Sequence, residues 1–359
     1  MSLRWLDRSP VVVVVGGFLG SGKTRLILAA ARVLEKRGLR CAVVLNDQGQ
    51  ELVDSRHAEA QGMIAGEVTG GCFCCRFSAL ASAIDGLQRF SPEVIFAEPV
   101  GSCTDIAATV LRPLREDFER FRIAPFTVLV DPARAAALLR DDADSDLAYL
   151  FGKQLQEADL VAVTKADLYP DAPALPFVNA RRLSAVTGQG VNEWLDEILF
   201  GRIEARSDDL DIDYLGYAQA EAALAWLNLS FVLQPRPAIS PAAVVGPLLD
   251  ELDRALTAAG ILIVHMKVFD HTEAGWLKAA QCANGEEPAV EGDLDASPAS
   301  RHEVLLNLRA KGSAEDVRRL VEEQLKKIDG KKPEIRLDCF SPAAPKPERR
   351  ISKEAAREA

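Results

Sequence analysis

The chain has 359 residues, 48% of them hydrophobic, with a formal net charge of -11. That length asks for two domains rather than one, and the acidic balance repels phosphate backbones and argues against a nucleic-acid partner. No apolar run approaches the ~20 residues of a membrane span, and the N-terminus MSLRWLDRSP lacks the apolar stretch and cleavage site of a secretory leader, so a cytoplasmic protein without membrane attachment is expected.

Residues 11–15 are a continuous valine run, the pattern of a strand buried on both faces of a parallel sheet. A glycine-rich turn follows. Leu26, Ala29, Ala30, Val33 and Leu34 then recur at helical spacing, with Gly38 as a stop. Further buried strands are predicted at 41–45, 94–97, 126–130 and 160–164. Helices are predicted at about 79–88, 133–140, 146–156 and 191–200. Alternating strands and helices imply right-handed crossovers and a mostly parallel sheet covered on both sides. A polar, acidic stretch then reads as a linker over 204–220. Beyond it, strands are predicted at 224–233, 261–269, 276–282 and 304–309, and helices at 241–259 and 314–328, with a loop over 286–300. The expected organisation is an α/β nucleotide-binding domain over 1–203, the linker, and a smaller α+β domain with an antiparallel sheet over 221–330. A tail over 331–359, rich in Pro, Lys, Arg and Glu, reads as lacking order.

The turn after the first strand reads Gly17-Phe18-Leu19-Gly20-Ser21-Gly22-Lys23-Thr24 and fits the phosphate-loop pattern G-x-x-x-x-G-K-[ST]. Its backbone N–H groups can curl around an anion, and the following helix adds its N-terminal partial charge. Lys23 reaches toward β- and γ-phosphates, the Thr24 hydroxyl suits Mg²⁺, and Arg25 joins the nucleotide-binding set. The strand at 94–97 ends in Glu98, with Gly101 three residues later. Glu98 can hold Mg²⁺ directly or through water, and the Gly101 amide can meet a γ-phosphate. Lys165 and Asp167, in Thr164-Lys165-Ala166-Asp167, resemble the guanine-reading N-K-x-D motif. An Asp there accepts from guanine donors that adenine lacks. Ser184 and Ala185 match the later base-contacting S-A pair.

Seven cysteines are present, and Cys72, Cys74 and Cys75 fall within four residues, directly after Gly70-Gly71. Thiolates are soft ligands for Zn²⁺, Co²⁺ or iron. Three thiols are one short of a tetrahedral set, so water, a carboxylate or a second copy of the chain must complete it. An incomplete set suits delivery better than structure. Cys41, Cys103, Cys282 and Cys339 are isolated in sequence, and Cys103 follows Glu98 closely enough to approach the cluster. The four histidines are scattered, and His57 lies on the segment where a nucleotide switch would fall.

Taken together, GGFLGSGKT at 16–24, NDQG at 46–49, GGCFCC at 70–75, AEPVG at 97–101 and TKAD at 164–167 resemble the CobW-like metallochaperone GTPases, whose relatives include nitrile-hydratase activators. The resemblance covers about the first two hundred residues strongly and the remainder loosely. It implies GTP-dependent insertion of a metal bound by Cys72, Cys74 and Cys75 into a client metalloenzyme or cofactor-synthesis protein, with a homodimer sharing the ion as one arrangement. The chain departs from the family pattern at Gln50, where a Glu is usual, and at Pro99-Val100 after Glu98. Two other readings fit the residues: a metal-independent small-molecule kinase, and a GTP-dependent switch that remodels an enzyme partner without moving metal.

Overall fold

The computed structural model describes residues 9–50, 53–116, 121–171, 180–201, 203 and 209–352. In chain order the elements begin with β1 (Val11–Gly17), α1 (Lys23–Lys36), β2 (Cys41–Asn46), α2 (Val53–Ala60), β3 (Ile64–Val68), α3 (Phe77–Leu87) and β4 (Val94–Glu98). A short π-helical turn (Ala107–Leu111) runs into α4 (Arg112–Glu116). Then come β5 (Arg122–Ile123), β6 (Thr127–Val130), α5 (Pro132–Leu138), α6 (Ser145–Glu157), β7 (Leu160–Val163), β8 (Arg181–Arg182) and α7 (Val191–Phe200). The later half carries α8 (Tyr214–Ala222), β9 (Leu224–Leu233), α9 (Pro241–Ala258), β10 (Leu262–Thr272), β11 (Gly275–Gln281), β12 (Ala289–Gly292), β13 (His302–Lys311), α10 (Ala314–Lys327) and β14 (Ile335–Phe340).

The chain divides into two compact units, and neither is one continuous stretch. The first comprises Met1–Gln48, Gly62–Ala220 and Ala344–Ala359; the second comprises Gly49–Gln61 and Glu221–Ala343.

In the first unit the strands run β3-β2-β4-β1-β6-β7-β8, with β5 also beside β1, and every pair is parallel. The valine run of β1 is buried throughout, as are β2 and β4. Continuous apolarity fits strands covered by helices on both faces. Because all strands point the same way, the loops after β1, β2, β3 and β4 leave by one edge of the sheet, the edge where such folds place ligands. Sequence periodicity predicts β1, β2, β4, β6 and β7 but not β3. That strand, IAGEV, lies at the sheet edge and is only partly buried, so its apolar signal is weak.

The second unit is a six-stranded antiparallel sheet, β12-β11-β10-β13-β9-β14. Alternate residues point to opposite faces. Leu227, Leu229 and Phe231 of β9, Val268 of β10 and Leu306 and Leu308 of β13 share one core with Leu248, Leu252 and Leu256 of α9 and Val317 and Val321 of α10. The other face is polar although buried. Arg309 lies 4.0 Å over the Trp226 ring and donates to Leu227 O and the Asn228 side chain. On this face sits α2. Val53 N donates to Asn307 Oδ1 at 2.9 Å, Asp54 pairs with Lys267, and the fully buried His57 meets Lys278 Nζ at 3.0 Å. The Lys267 and Lys278 ammoniums hold the Asp54 carboxyl below its ordinary range in spite of its burial, and burial pushes the His57 imidazole down to about 3.

Three sequence expectations change here. The region expected to be a linker contains α8, whose Tyr217 is 1% exposed and accepts from Thr104 N through its hydroxyl. The loop expected over 286–300 contains β12. The tail expected to lack order supplies β14, paired with β9 from Ile335–Phe231 to Phe340–Trp226, and its residues 344–352 belong with the first unit. The strand β12, AVEG, gives little apolar periodicity, whereas β14, IRLDCF, does alternate but is short and flanked by Pro- and Lys-rich chain, so a reading of the tail by composition hides it. Residues 204–208 of the linker and 353–359 of the tail lie outside the described residues.

Candidate nucleotide and metal site

The phosphate loop is shaped by glycine. Gly17 has φ +135°, and a Cβ there would lie 2.6 Å from Leu129 O, so no side chain fits. Ser21 N donates to Phe18 O across the turn, and α1 starts at Lys23 behind Gly22. Lys23 Nζ donates to the carbonyls of Gly17 (2.9 Å) and Phe18 (3.4 Å), which keeps the ammonium against the loop. Thr24 Oγ1 donates to Glu98 Oε1 at 3.1 Å, and both residues are buried. A hydroxyl and a carboxylate side by side form a hard oxygen donor set, which fits Mg²⁺. Gly101 presses on the same loop: a Cβ on it would be 3.0 Å from Leu19 N.

The two base-motif segments meet. Ala166 N donates to Leu183 O, which draws the Lys165–Asp167 turn beside Ser184 and Ala185. Ser184 Oγ accepts from Val186 N and Thr187 N and shapes that loop. Thr164 stands where the family motif has Asn, and its Oγ1 donates to Ser21 O at 2.8 Å, so the link to the phosphate loop is kept. Lys165 Nζ reaches Asp131 Oδ2 at 2.6 Å, while Asp167 is partly exposed. Arg25 is half-buried on the first turn of α1.

The cysteine loop follows β3 and is clamped by one side chain. Asn46, at the end of β2, donates through Nδ2 to Val68 O and Gly71 O, each 2.8 Å away, and accepts from Phe73 N at 2.8 Å. Phe73 is fully buried and anchors the turn. Cys72 and Cys74 point inward with sulfurs 2.8 Å apart, and Cys75 is half-exposed with its sulfur 3.7 Å from that of Cys74. The sulfurs of Cys72, Cys74 and Cys103 lie within 4.8 Å of one another, and all three residues are buried. Thus the inner trio contains Cys103 in the position that the sequence assigns to Cys75, and Cys75 stands at its rim. Hydrogen bonds from Cys103, Cys74 and Cys75 hold the Cys72 thiol well below its ordinary range, and donating such bonds holds Cys74 above it.

Gln154 carries no motif, and the NDQG stretch that Asn46 opens does not reveal its role as a clamp. Cys103 enters through topology: the loop after β4 leaves by the same sheet edge as the loop after β3. Gln154 on α6 donates from Nε2 to Gly101 O and Cys103 O, both at 2.9 Å, and Cys103 N donates to Val100 O. Over the rim runs the segment after β14. Lys346 N donates to Cys75 Sγ at 3.2 Å and Glu348 N to Cys74 O at 2.9 Å. Glu348 Oε2 accepts from Ser78, Arg350 donates to Asp105 Oδ2, and Ile351 N donates to Ala108 O. The acidic run Asp142, Asp144 and Asp146 holds no such cluster: Asp144 caps α6, and Asp142 pairs with Arg140.

Among the described residues, no helix is long and apolar enough to cross a membrane. Residues 11–189 match the family described as CobW/HypB/UreG, nucleotide-binding domain. The zinc chaperone CobW of Pseudomonas aeruginosa is 30% identical over 220 residues, which are 50% of this chain and 54% of that protein. The zinc chaperone YjiA of Escherichia coli is 27% identical over 176 residues, 46% of this chain and 52% of that one. The chain therefore spans about half the length of the curated relatives it matches. Among solved structures, HypB from Helicobacter pylori in complex with nickel overlaps 56% of this chain and 94% of its own at 18% identity, with a TM-score of 0.41. That likeness is too distant to carry an argument.

Proposed function

Since the chain belongs to the CobW/HypB/UreG family through its nucleotide-binding domain, residues 11–189, we propose that it is a GTP-hydrolysing metallochaperone that takes up zinc through its cysteine cluster and passes it to a client metalloprotein or cofactor-synthesis protein. The observation that carries this reading is the buried trio of thiols at Cys72, Cys74 and Cys103, on the sheet edge that also holds Thr24 and Glu98. A metal-independent kinase has no use for such a trio. The names of the curated relatives favour zinc as cargo over cobalt or iron, and thiolates suit it.

Bound Mg²⁺-GTP supplies the phosphoanhydride that water cleaves. The chain's own part is positioning and charge stabilisation. Thr24 and Glu98 hold the cation, the loop amides and Lys23 neutralise charge that grows on the phosphoryl oxygens, and Asp167 selects guanine. No sequence motif marks a glutamine or arginine finger for the attacking water, so turnover by the chain alone should be slow.

The test measures phosphate release from GTP and ATP with Mg²⁺, and zinc affinity by competition with a chromophoric chelator. GTP preference with a zinc affinity that depends on the thiols supports the reading. Equal hydrolysis of ATP, or zinc binding unchanged when the cluster cysteines become Ser, sinks it.

A further inference from the structure

We infer that Cys103 is a ligand to the cargo metal and is the residue through which the nucleotide controls the metal site; this rests on the metallochaperone reading above. A side chain at Gly101 would strike Leu19, with its backbone N at 3.0 Å and its Cδ2 at 2.9 Å, so the loop after β4 lies hard against the phosphate loop. Two residues on, Cys103 is bound to Gly101 as one rigid piece. Its N–H donates to Val100 O, and the single amide of Gln154 holds the carbonyls of both Gly101 and Cys103. Gln154 is 2% exposed and Cys103 is 3% exposed, so this piece is packed on all sides. A displacement of Gly101 by a phosphate is therefore carried to the Cys103 sulfur. Packed pieces shift as units rather than bending continuously.

On the other side of the sulfur trio the loop carrying Cys72 and Cys74 is pinned separately, by Asn46. An ion held by Cys72, Cys74 and Cys103 thus bridges two separately pinned loops, and the one carrying Cys103 lies against the phosphate loop. The distances fit ligation with small adjustments. Zinc–sulfur bonds of about 2.3 Å in a tetrahedron set neighbouring sulfurs about 3.8 Å apart. Cys74 and Cys75 stand at 3.7 Å. The Cys72–Cys74 separation of 2.8 Å must open by about 1 Å, within reach of one side-chain torsion.

With Cys103 engaged and Cys75, which stands outside the trio, swung in from the rim, the four sulfurs close a tetrahedron, and each ligating thiol that still holds a proton gives it to solvent as the metal binds. Closed thiolate sites hold zinc firmly, whereas sites with an open position exchange it. Withdrawal of Cys103 after hydrolysis leaves three thiolates and one open position, which a client's ligand can take. Cys75, half-exposed at the rim, is the thiolate from which the ion leaves. By linkage the metal must favour the triphosphate state by the same factor.

The experiment is zinc X-ray absorption and chelator competition on the full chain, with Mg²⁺ and either GDP or a non-hydrolysable GTP analogue. In the wild type the analogue state should show four sulfur ligands and the GDP state three with one oxygen, and the analogue should raise zinc affinity on the order of a hundredfold. Cys103→Ser should lose one sulfur from the analogue state and bring the affinity ratio to about one. Cys75→Ser should weaken zinc in both states and keep the ratio. Three sulfurs in the wild-type analogue state overturn the proposal without reference to any variant. An unchanged sulfur count or ratio in Cys103→Ser overturns it while the metallochaperone reading stands. Failure of the wild type to bind zinc through sulfur in either state overturns both.

Discussion

The proposed function gives Lys23 and Asp167 separate parts of the nucleotide chemistry, and each can be removed alone. Lys23 Nζ donates to loop carbonyls at the surface of the phosphate loop, so Lys23→Ala removes the charge that faces the phosphates. GTP hydrolysis should fall on the order of a hundred- to a thousandfold, as when one transition-state donor is lost. Phosphate release and the thermal midpoint, measured together, check that the loss is catalytic and not a failure to fold. Under the proposed function, Asp167 tells guanine from adenine. Asp167→Asn should weaken GTP by about 2 kcal/mol or more and favour xanthosine triphosphate, because an amide donates where the carboxylate accepts. Calorimetry of the three triphosphates against both proteins tests it. A variant that keeps its GTP affinity would place base selection elsewhere.

Two elements set the surroundings of the thiols. At its C-terminal end α6 carries Glu157, whose carboxyl is buried and accepts from Thr104 Oγ1 and Ala107 N. Burial raises this carboxyl from 4.5 to about 8. The folded state therefore holds a proton that the unfolded chain releases above pH 4.5. Stability from this group is fully present below pH 4.5, drains away as the pH rises, and has gone once the pH passes about 8. Glu157→Gln has no such proton. Its thermal midpoint should gain on the wild type from pH 5 to pH 8 and keep a constant lead above that; a lead independent of pH would contradict the assignment. The second element is the segment after β14. It covers Cys75 through Lys346 and is fastened at Glu348, Arg350 and Ile351. A chain ending at Ala343 should alkylate at Cys75 faster, on the order of tenfold, as exposure of the sulfur rises. Mass spectrometry of maleimide-treated protein reads this residue by residue. Equal rates would mean that the strap leaves the sulfur open.

At the scale of the whole molecule, the path of the chain matters most. It leaves the first unit after β2, lays α2 on the polar face of the second unit's sheet, and returns to the first unit for β3. The Asp54 and Lys267 side chains, each less than one-fifth exposed, anchor α2. Removing the charge breaks the pairs that Asp54 makes with Lys267 and Lys278, so Asp54→Asn should cost about 3 kcal/mol, as for other buried pairs broken on one side. Urea unfolding gives the number, and a loss below about 1 kcal/mol would mean that the anchor lies elsewhere.

The amino-acid sequence alone determined what local chemistry and periodicity encode. Consecutive valines read as a two-faced strand wherever they end up, and G-x-x-x-x-G-K-T needs only its own backbone to form an anion cradle. Helix α7 and strand β9 begin and end where their apolar spacing says. The TKAD turn and the Cys72–Cys75 run were legible for the same reason: their meaning lies in neighbours along the chain. Tertiary structure decided the rest. Cys103 has no sequence partner, and it joins Cys72 and Cys74 because parallel strands release their loops at a common edge. Asn46 and Gln154 look like ordinary amides until the carbonyls they bind are placed beside them. The strand β14 does alternate, Ile335, Leu337 and Cys339 against Arg336 and Asp338, but it sits in a charged, Pro-rich stretch, and the strap after it lacks apolar periodicity. A strand edge and a row of backbone donors give them their order, and these exist only once the rest has folded.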